Sequence, residues 1–234
     1  MLLVLLLLVG GAGRAQAESP AVPAAPTMTQ AWVARVVTPI EALRQPGTGS
    51  LVMNVPTQAR WNGGPVGLLV LDTATLADGS LWLRVRLPIR PNGTSGWIPA
   101  DETELSPTPY RIEILTRQRI VRFLETGRVM HRFRAVVGAP RWPTPHGLFA
   151  VSERVAQPNP RGFLGTWALH LTAFSNTLIN FGGGPGTIAI HGRGGASLLD
   201  PLGSARSHGC IRITNRAVDY IEARAEEGTP VVIR

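Results

Sequence analysis

The sequence predicts a mostly β protein built as two units, with a single helix near the C-terminus. Three observations carry this. Short apolar runs recur between turn-forming pairs such as Asn62-Gly63, Asp78-Gly79 and Asn92-Gly93. The 26 glycines and 20 prolines supply turns for many strands and leave little room for long helices. One stretch alone, residues 215–227, sets apolar residues at helical spacing: Val218, Ile221 and Ala225 share a side and Gly228 follows as a stop.

From the N-terminus, Leu2 to Val9 is an unbroken apolar run closed by Ala15-Gln16-Ala17. It reads as an export signal over residues 1–17, because a bilayer span needs roughly 20 apolar residues. No cysteine stands there to take a lipid anchor. Residues 18–29, with Pro20, Pro23 and Pro26 among alanines, read as a linker.

Residues 30–105 form the first β unit, with apolar runs at 51–53, 67–71 and 81–85. Leu81, Leu83, Val85 and Leu87 alternate with Trp82, Arg84 and Arg86, which marks a strand with one buried face. Trp61, Trp82 and Trp97 are assigned to core packing. The closing Gly96-Trp97-Ile98-Pro99 resembles the last strands of bacterial SH3-like wall modules, which implies a small SH3-like β-barrel. Residues 106–109, Ser-Pro-Thr-Pro, read as the boundary. The second unit, 110–234, is expected to hold strands at 112–115, 120–125, 129–137, 147–151, 167–171 and 187–191, then the helix, then a closing strand at 231–233.

The formal charge is +8, and all 23 basic residues are arginine. The lack of lysine excludes a lysine nucleophile, a Schiff base and a phosphate-loop lysine, so Gly182 to Gly186 reads as a strand connection. The arginines are scattered and form no nucleic-acid motif; the basic balance suits an anionic surface such as a cell wall.

Cys210 is the only cysteine, in Ser207-His208-Gly209-Cys210-Ile211-Arg212. An oxidising compartment favours paired cysteines, so an odd one in an exported chain reads as a reactive thiol or an intermolecular bridge. Thiolates are the attacking form, and their base must be near in space. His191 ends a predicted strand 19 residues upstream. Gly209 allows positive φ or close substrate approach, and N–H groups of that turn could hold an oxyanion. The same atoms admit other readings: a zinc site of His191, His208 and Cys210, which lacks a fourth ligand at motif spacing, or an inert thiol in a wall-binding protein. His131 and His170 are assigned structural places in strands.

The pattern His191-Gly192, a loop, then Ser207-His208-Gly209-Cys210-Ile211-Arg212-x-x-Asn215 resembles the L,D-transpeptidase (YkuD-type) catalytic domain. Pro143-Thr144-Pro145-His146-Gly147-Leu148-Phe149 is similar to that family's Thr-Pro-x-Gly-x-Phe stretch, and the resemblance covers residues 109–234. It implies a β-sandwich-like core and no metal or organic cofactor. Cys210 is then the nucleophile, His191 the proton donor and acceptor, and the Gly192 carbonyl the group that orients the imidazole. Ser207, His208, Gly209, Arg212 and His146 line the substrate pocket, with Arg212 supporting the loop or meeting a carboxylate, and Asn215 caps the helix. The implied reaction is acyl transfer on peptidoglycan stem peptides. The thiolate attacks the L-centre carbonyl of a tetrapeptide, D-Ala leaves, and the thioester passes to a second stem's amine, to water or to a protein amine. Carbapenem-type β-lactams are implied inhibitors, nucleic acid and stable metal are not implied partners, and the expected place is periplasm or cell wall.

Overall fold

The computed structural model describes residues 23–180 and 184–234. The expected export signal, and Gly182 and Gly183 of the glycine run, lie outside them.

Seven strands form the first sheet: β1 (Ala31–Val36), β2 (Ile40–Leu43), β3 (Leu51–Val55), β4 (Gly67–Thr75), β5 (Leu81–Arg86), β6 (Ser95–Pro99) and β7 (Thr103–Thr108). Their order is β3-β2-β6-β5-β4-β1-β7. The alternation in β5 works as the sequence indicates: Leu83, Val85 and Leu87 are fully buried beside Ile98 and Val70, while Trp82, Arg84 and Arg86 keep partial exposure. Gly63, Gly79 and Gly93 close the turns at positive φ of 66°, 85° and 89°, a region that costs a glycine little.

Two expectations are corrected here. Residues 106–108 are not linker but the end of β7, paired along its length with β1. Pro107 is tolerated because β7 is an edge strand, where a missing N–H breaks no second ladder. Trp61 is not core either. Its side is half exposed at 51%, and its ring stacks on His170 of the second unit, centroids 5.7 Å apart.

The second unit holds β8 (Tyr110–Leu115), β9 (Ile120–Glu125), β10 (Arg128–Arg134), β11 (Val137–Gly138), β12 (Gly147–Ala156), β13 (Trp167–Phe174), β14 (Thr187–His191), β15 (Ala205–Ser207), β16 (Ile211–Arg212), α1 (Asn215–Glu222) and β17 (Pro230–Ile233). Eight of these strands make one sheet in the order β10-β9-β8-β17-β12-β13-β14-β16, and β11 pairs with β15. Ile112, Phe123, Phe149, Leu169, Ile188, Ile190 and Ile211 fill one face together with Val218 and Ile221 of α1. The expected strand 129–137 splits into β10 and β11, because Val136 turns aside to bridge Arg212.

Helix α1 stops at Glu222, five residues before the expected end. Two contacts override its propensity to continue. Arg154 grips the Glu227 carboxylate through Nε and Nη2, both at 3.1 Å. The Gly228 N–H donates to Val151 O, and at φ +87° a Cβ there would lie 2.6 Å from Val33 Cγ1. Gly228 is therefore the turn into β17 rather than a helix cap.

The two units meet through specific contacts. Ala31 and Leu69 pack against Ala150, with Leu71 and Leu148 alongside. Asn92 donates through Nδ2 to Phe174 O at 2.7 Å and accepts from Phe174 N at 2.8 Å. Glu153 Oε1 accepts from the N–H groups of Trp61 and Asn62, each at 2.5 Å. Arg111 reaches Thr27 O at 3.1 Å, so the end of the expected linker is held against the fold.

Candidate active site

The parallel pairing of β14 with β16 builds the site. Ile190 is in register with Ile211, and His191 with Arg212. Both isoleucines enter the core. Strand alternation therefore puts His191 and Arg212 on the opposite face, together with Cys210, one residue before β16. Nineteen residues of separation become two adjacent strands.

The cysteine loop is held by side chains that bond backbone. Ser207 is fully buried; its Oγ donates to Cys210 O at 2.6 Å and accepts from Gly209 N at 3.1 Å. The Gly209 N–H is thus occupied within the loop rather than turned to an oxyanion. Thr144 Oγ1 donates to Gly209 O at 2.8 Å and accepts from Gly138 N at 2.9 Å. Gly209 sits at φ +115°, where a Cβ would lie 2.8 Å from Ile188 Cδ1, so no other residue fits this turn without strain. The Trp142 ring lies 4.0 Å from that of His208, and the Arg141 guanidinium lies 4.9 Å from the Trp142 ring.

His191 is 1% exposed. Its Nδ1 is 2.8 Å from Gly192 O. A carbonyl oxygen only accepts, so in the neutral ring Nδ1 carries the proton and Nε2 the lone pair. Burial is the main cause that pushes the His191 pKa down to about 4; the Arg212 and His170 charges add to it, and the Gly192 and Leu164 backbone carbonyls oppose it. Burial also pushes the Cys210 thiol up, against the Ala189 N–H and the positive Arg212. The resting site therefore holds a neutral thiol and a neutral imidazole. Cys210 Sγ lies 4.0 Å from Thr187 O.

Arg212 supports the loop: its Nη1 is 2.5 Å from Asp200 Oδ2, and its guanidinium sits 4.7 Å above the Phe163 ring, itself 6.1 Å from the His191 ring. Arg193 ties the same loop through bonds to Ser197 O at 3.1 Å and Leu198 O at 3.2 Å. Asn215 does not cap the helix. Thr214 does, accepting from Ala217 N, while Asn215 Oδ1 accepts from Arg193 N at 2.7 Å and fixes the chain just after Gly192. His146 stands apart from these residues. It is exposed and pairs through Nε2 with Thr116 Oγ1 at 3.0 Å; its neighbour Thr144 is the residue that reaches the cysteine loop. Trp142, Phe163, Arg193 and Asp200 were not singled out from the sequence, and Thr144 entered only as part of the Thr-Pro-x-Gly-x-Phe stretch. The buried Thr144 between Pro143 and Pro145 carried the clearest signal, a hydroxyl between residues that fix the backbone.

Among the described residues, no group of three or more His, Cys, Asp or Glu side chains gathers to hold a metal. The zinc reading of His191, His208 and Cys210 thus meets no ligand cluster.

Gly192 offers a test of the site's tolerance. A Cβ there would lie 2.2 Å from Asn215 Oδ1. Gly192→Ala is expected to displace Asn215, release Arg193 N and shift the carbonyl that holds His191. Displacements of this size cost about 10²-fold in turnover. In an Asn215→Ala background the same substitution is expected to cost less, a coupling that a double-mutant cycle on kcat reads directly. Additive effects would show that the two residues act separately.

The family model for the L,D-transpeptidase catalytic domain, YkuD, matches residues 109–233. The YkuD protein of Bacillus licheniformis is 30% identical over 164 residues, covering 67% of this chain and 89% of that protein. Among solved structures, an L,D-transpeptidase from Mycobacterium tuberculosis H37Rv is 14% identical, with a TM-score of 0.44, over 66% of this chain and 90% of that one. The catalytic domain of the E. faecium L,D-transpeptidase, solved acylated by ertapenem, is 21% identical, with a TM-score of 0.40, over 53% of this chain and 96% of that one. The family model spans more than half of the sequence, and the bacillus relative aligns across two thirds of it; this chain belongs to the YkuD family of L,D-transpeptidase catalytic domains.

Proposed function

We propose that the protein is an exported peptidoglycan L,D-transpeptidase with Cys210 as nucleophile and His191 as its base and acid. One observation carries the roles: His191 has Nδ1 anchored on the Gly192 carbonyl, so the lone pair of the neutral ring is on Nε2, on the sheet face that also bears the sole thiol.

The chemistry follows from two neutral groups. As Sγ bonds to the L-centre carbonyl carbon of a tetrapeptide stem, His191 Nε2 takes the thiol proton. The tetrahedral adduct collapses, the C–N bond breaks, and the same proton passes to the departing amine of D-Ala. A thioester remains on Cys210. An acceptor amine then attacks it, gives a proton to His191, and expels the thiolate, which takes that proton back. Burial serves this cycle, because neither charged form is stable at rest and the proton moves only as the S–C bond forms. Carbapenems, with a strained acyl carbon, are expected to stop at the thioester. The apolar run at 2–9 and the excess of arginine support residence in the periplasm or wall.

Incubation of the protein with disaccharide-tetrapeptide, followed by mass analysis of the products, tests the reading. The expected product is a dimer lacking one D-Ala. A tripeptide monomer would make water the acceptor, and transfer to an added lipoprotein peptide would make the enzyme an attachment enzyme. An unchanged tetrapeptide, with no adduct from a carbapenem, would overturn the function.

A further inference from the structure

We infer that the N-terminal unit forms part of the donor-binding site of the enzyme proposed above. Its β3–β4 loop, residues 56–66, walls a subsite that takes the retained, acyl side of the stem peptide. The inference rests on that proposed function and adds a binding role for a unit outside the matched family region.

The loop lands on the face of the sheet that carries the thiol. Glu153, His170 and Ala189 are in register across β12, β13 and β14, and Cys210 precedes β16 at the level of Ala189. Trp61 stacks on His170 and Glu153 holds the loop by two backbone N–H groups. The loop is therefore anchored two to three strands from Cys210, roughly 10–15 Å at the usual strand spacing.

Between loop and sheet lies a cavity of about 410 Å³, on the scale of small-ligand sites, which favour domain interfaces. Its walls combine Val55, Val66 and Leu68 of the first unit with His170, Phe174 and Thr187 of the second. Thr187 joins the cavity to the nucleophile, since its carbonyl is the atom 4.0 Å from Cys210 Sγ. His170 Nδ1 is buried with no hydrogen-bond partner, and a peptide amide in the cavity would satisfy it.

Direction along β14 decides which part of the donor enters. His191 ends the strand and Thr187 begins it, roughly 13 Å apart at the strand rise. The amine that His191 protonates leaves at the His191 end. The acyl side then extends past Thr187 into the cavity, where apolar walls meet the stem's side chains and the His170 ring meets its amides.

The test compares two donors in the full chain: the tetrapeptide stem, which reaches the cavity, and a compact carbapenem, which acylates Cys210 without filling it. Trp61→Ala removes the wall and Val66→Trp fills the space. Each is expected to lower the ratio of kcat/KM for the tetrapeptide to the carbapenem acylation rate by about tenfold or more. Trp61→Phe, which keeps a stacked ring, is expected to restore most of it. A ratio that stays at the wild-type value in both variants, with wild type active on both donors, overturns the subsite and leaves the function standing. Wild type that takes neither donor overturns the function, and the subsite with it.

Discussion

Cys210→Ala is expected to take up no mass from a carbapenem and to leave tetrapeptide unconverted, while melting within about 4 °C of wild type. The substitution removes one sulfur atom. The bonds that hold the loop, from Ser207 Oγ to Cys210 O and from Thr144 Oγ1 to Gly209 O, end on backbone oxygens and survive it. The fold thus has no reason to change, and the loss isolates chemistry. No other thiol exists in the chain to take over, and a hydroxyl, being a poorer nucleophile at neutral pH, leaves Cys210→Ser also near background. Intact mass after carbapenem treatment reads the result: one adduct on wild type and none on either variant. An adduct of equal stoichiometry on Cys210→Ala would place the nucleophile elsewhere and remove the basis of the mechanism.

The residues that were legible in the sequence are those whose role is written in contiguous pattern. β9 and β14 occupy the expected spans because each alternates or runs apolar between clear turns. Cys210 stood out as the only thiol and His191 as an imidazole at a strand end 19 residues upstream, while Gly192 entered through the family resemblance; the structure sets the strands of the first two side by side. What escaped is decided by contacts between distant parts of the chain. The end of α1 depends on Arg154 gripping Glu227 across 73 residues, which no helical periodicity reports. Trp61 looks like core until the second unit supplies His170 as its partner. Thr144 and Asn215 act through backbone atoms of other loops, Gly209 and Arg193, and a backbone partner leaves no complementary residue to read. The capping reading fell on Asn215, whereas Thr214 caps α1 and Asn215 Oδ1 is taken by Arg193 N, a tertiary demand that the local pattern does not report.

His191→Gln is expected to lower turnover by about 10³-fold, within the range that general acid–base groups supply, and His208→Ala by much less. Glutamine keeps the polar reach toward Gly192 but cannot take and return a proton. The pH behaviour separates a chemical role from a merely structural one. Burial holds His191 at about 4, so the imidazole stays an unprotonated base down to that pH. The acid limb of kcat/KM in wild type is therefore expected near pH 4, rather than near the ordinary histidine value of about 6.5. Stability follows the same proton with a definite sign. Below about 6.5 the unfolded chain protonates this residue and the folded one does not. The folded state is thus penalised progressively as pH falls from 6.5 to about 4, by about 3 kcal/mol in full. Urea unfolding across that window is expected to show this fall in wild type and a shallower one in His191→Gln, because the other acid-linked groups are common to both. Equal slopes, or an acid limb near 6.5, would mean that the imidazole titrates like an exposed one. The neutral resting pair of thiol and imidazole would then be the wrong starting state for the reaction.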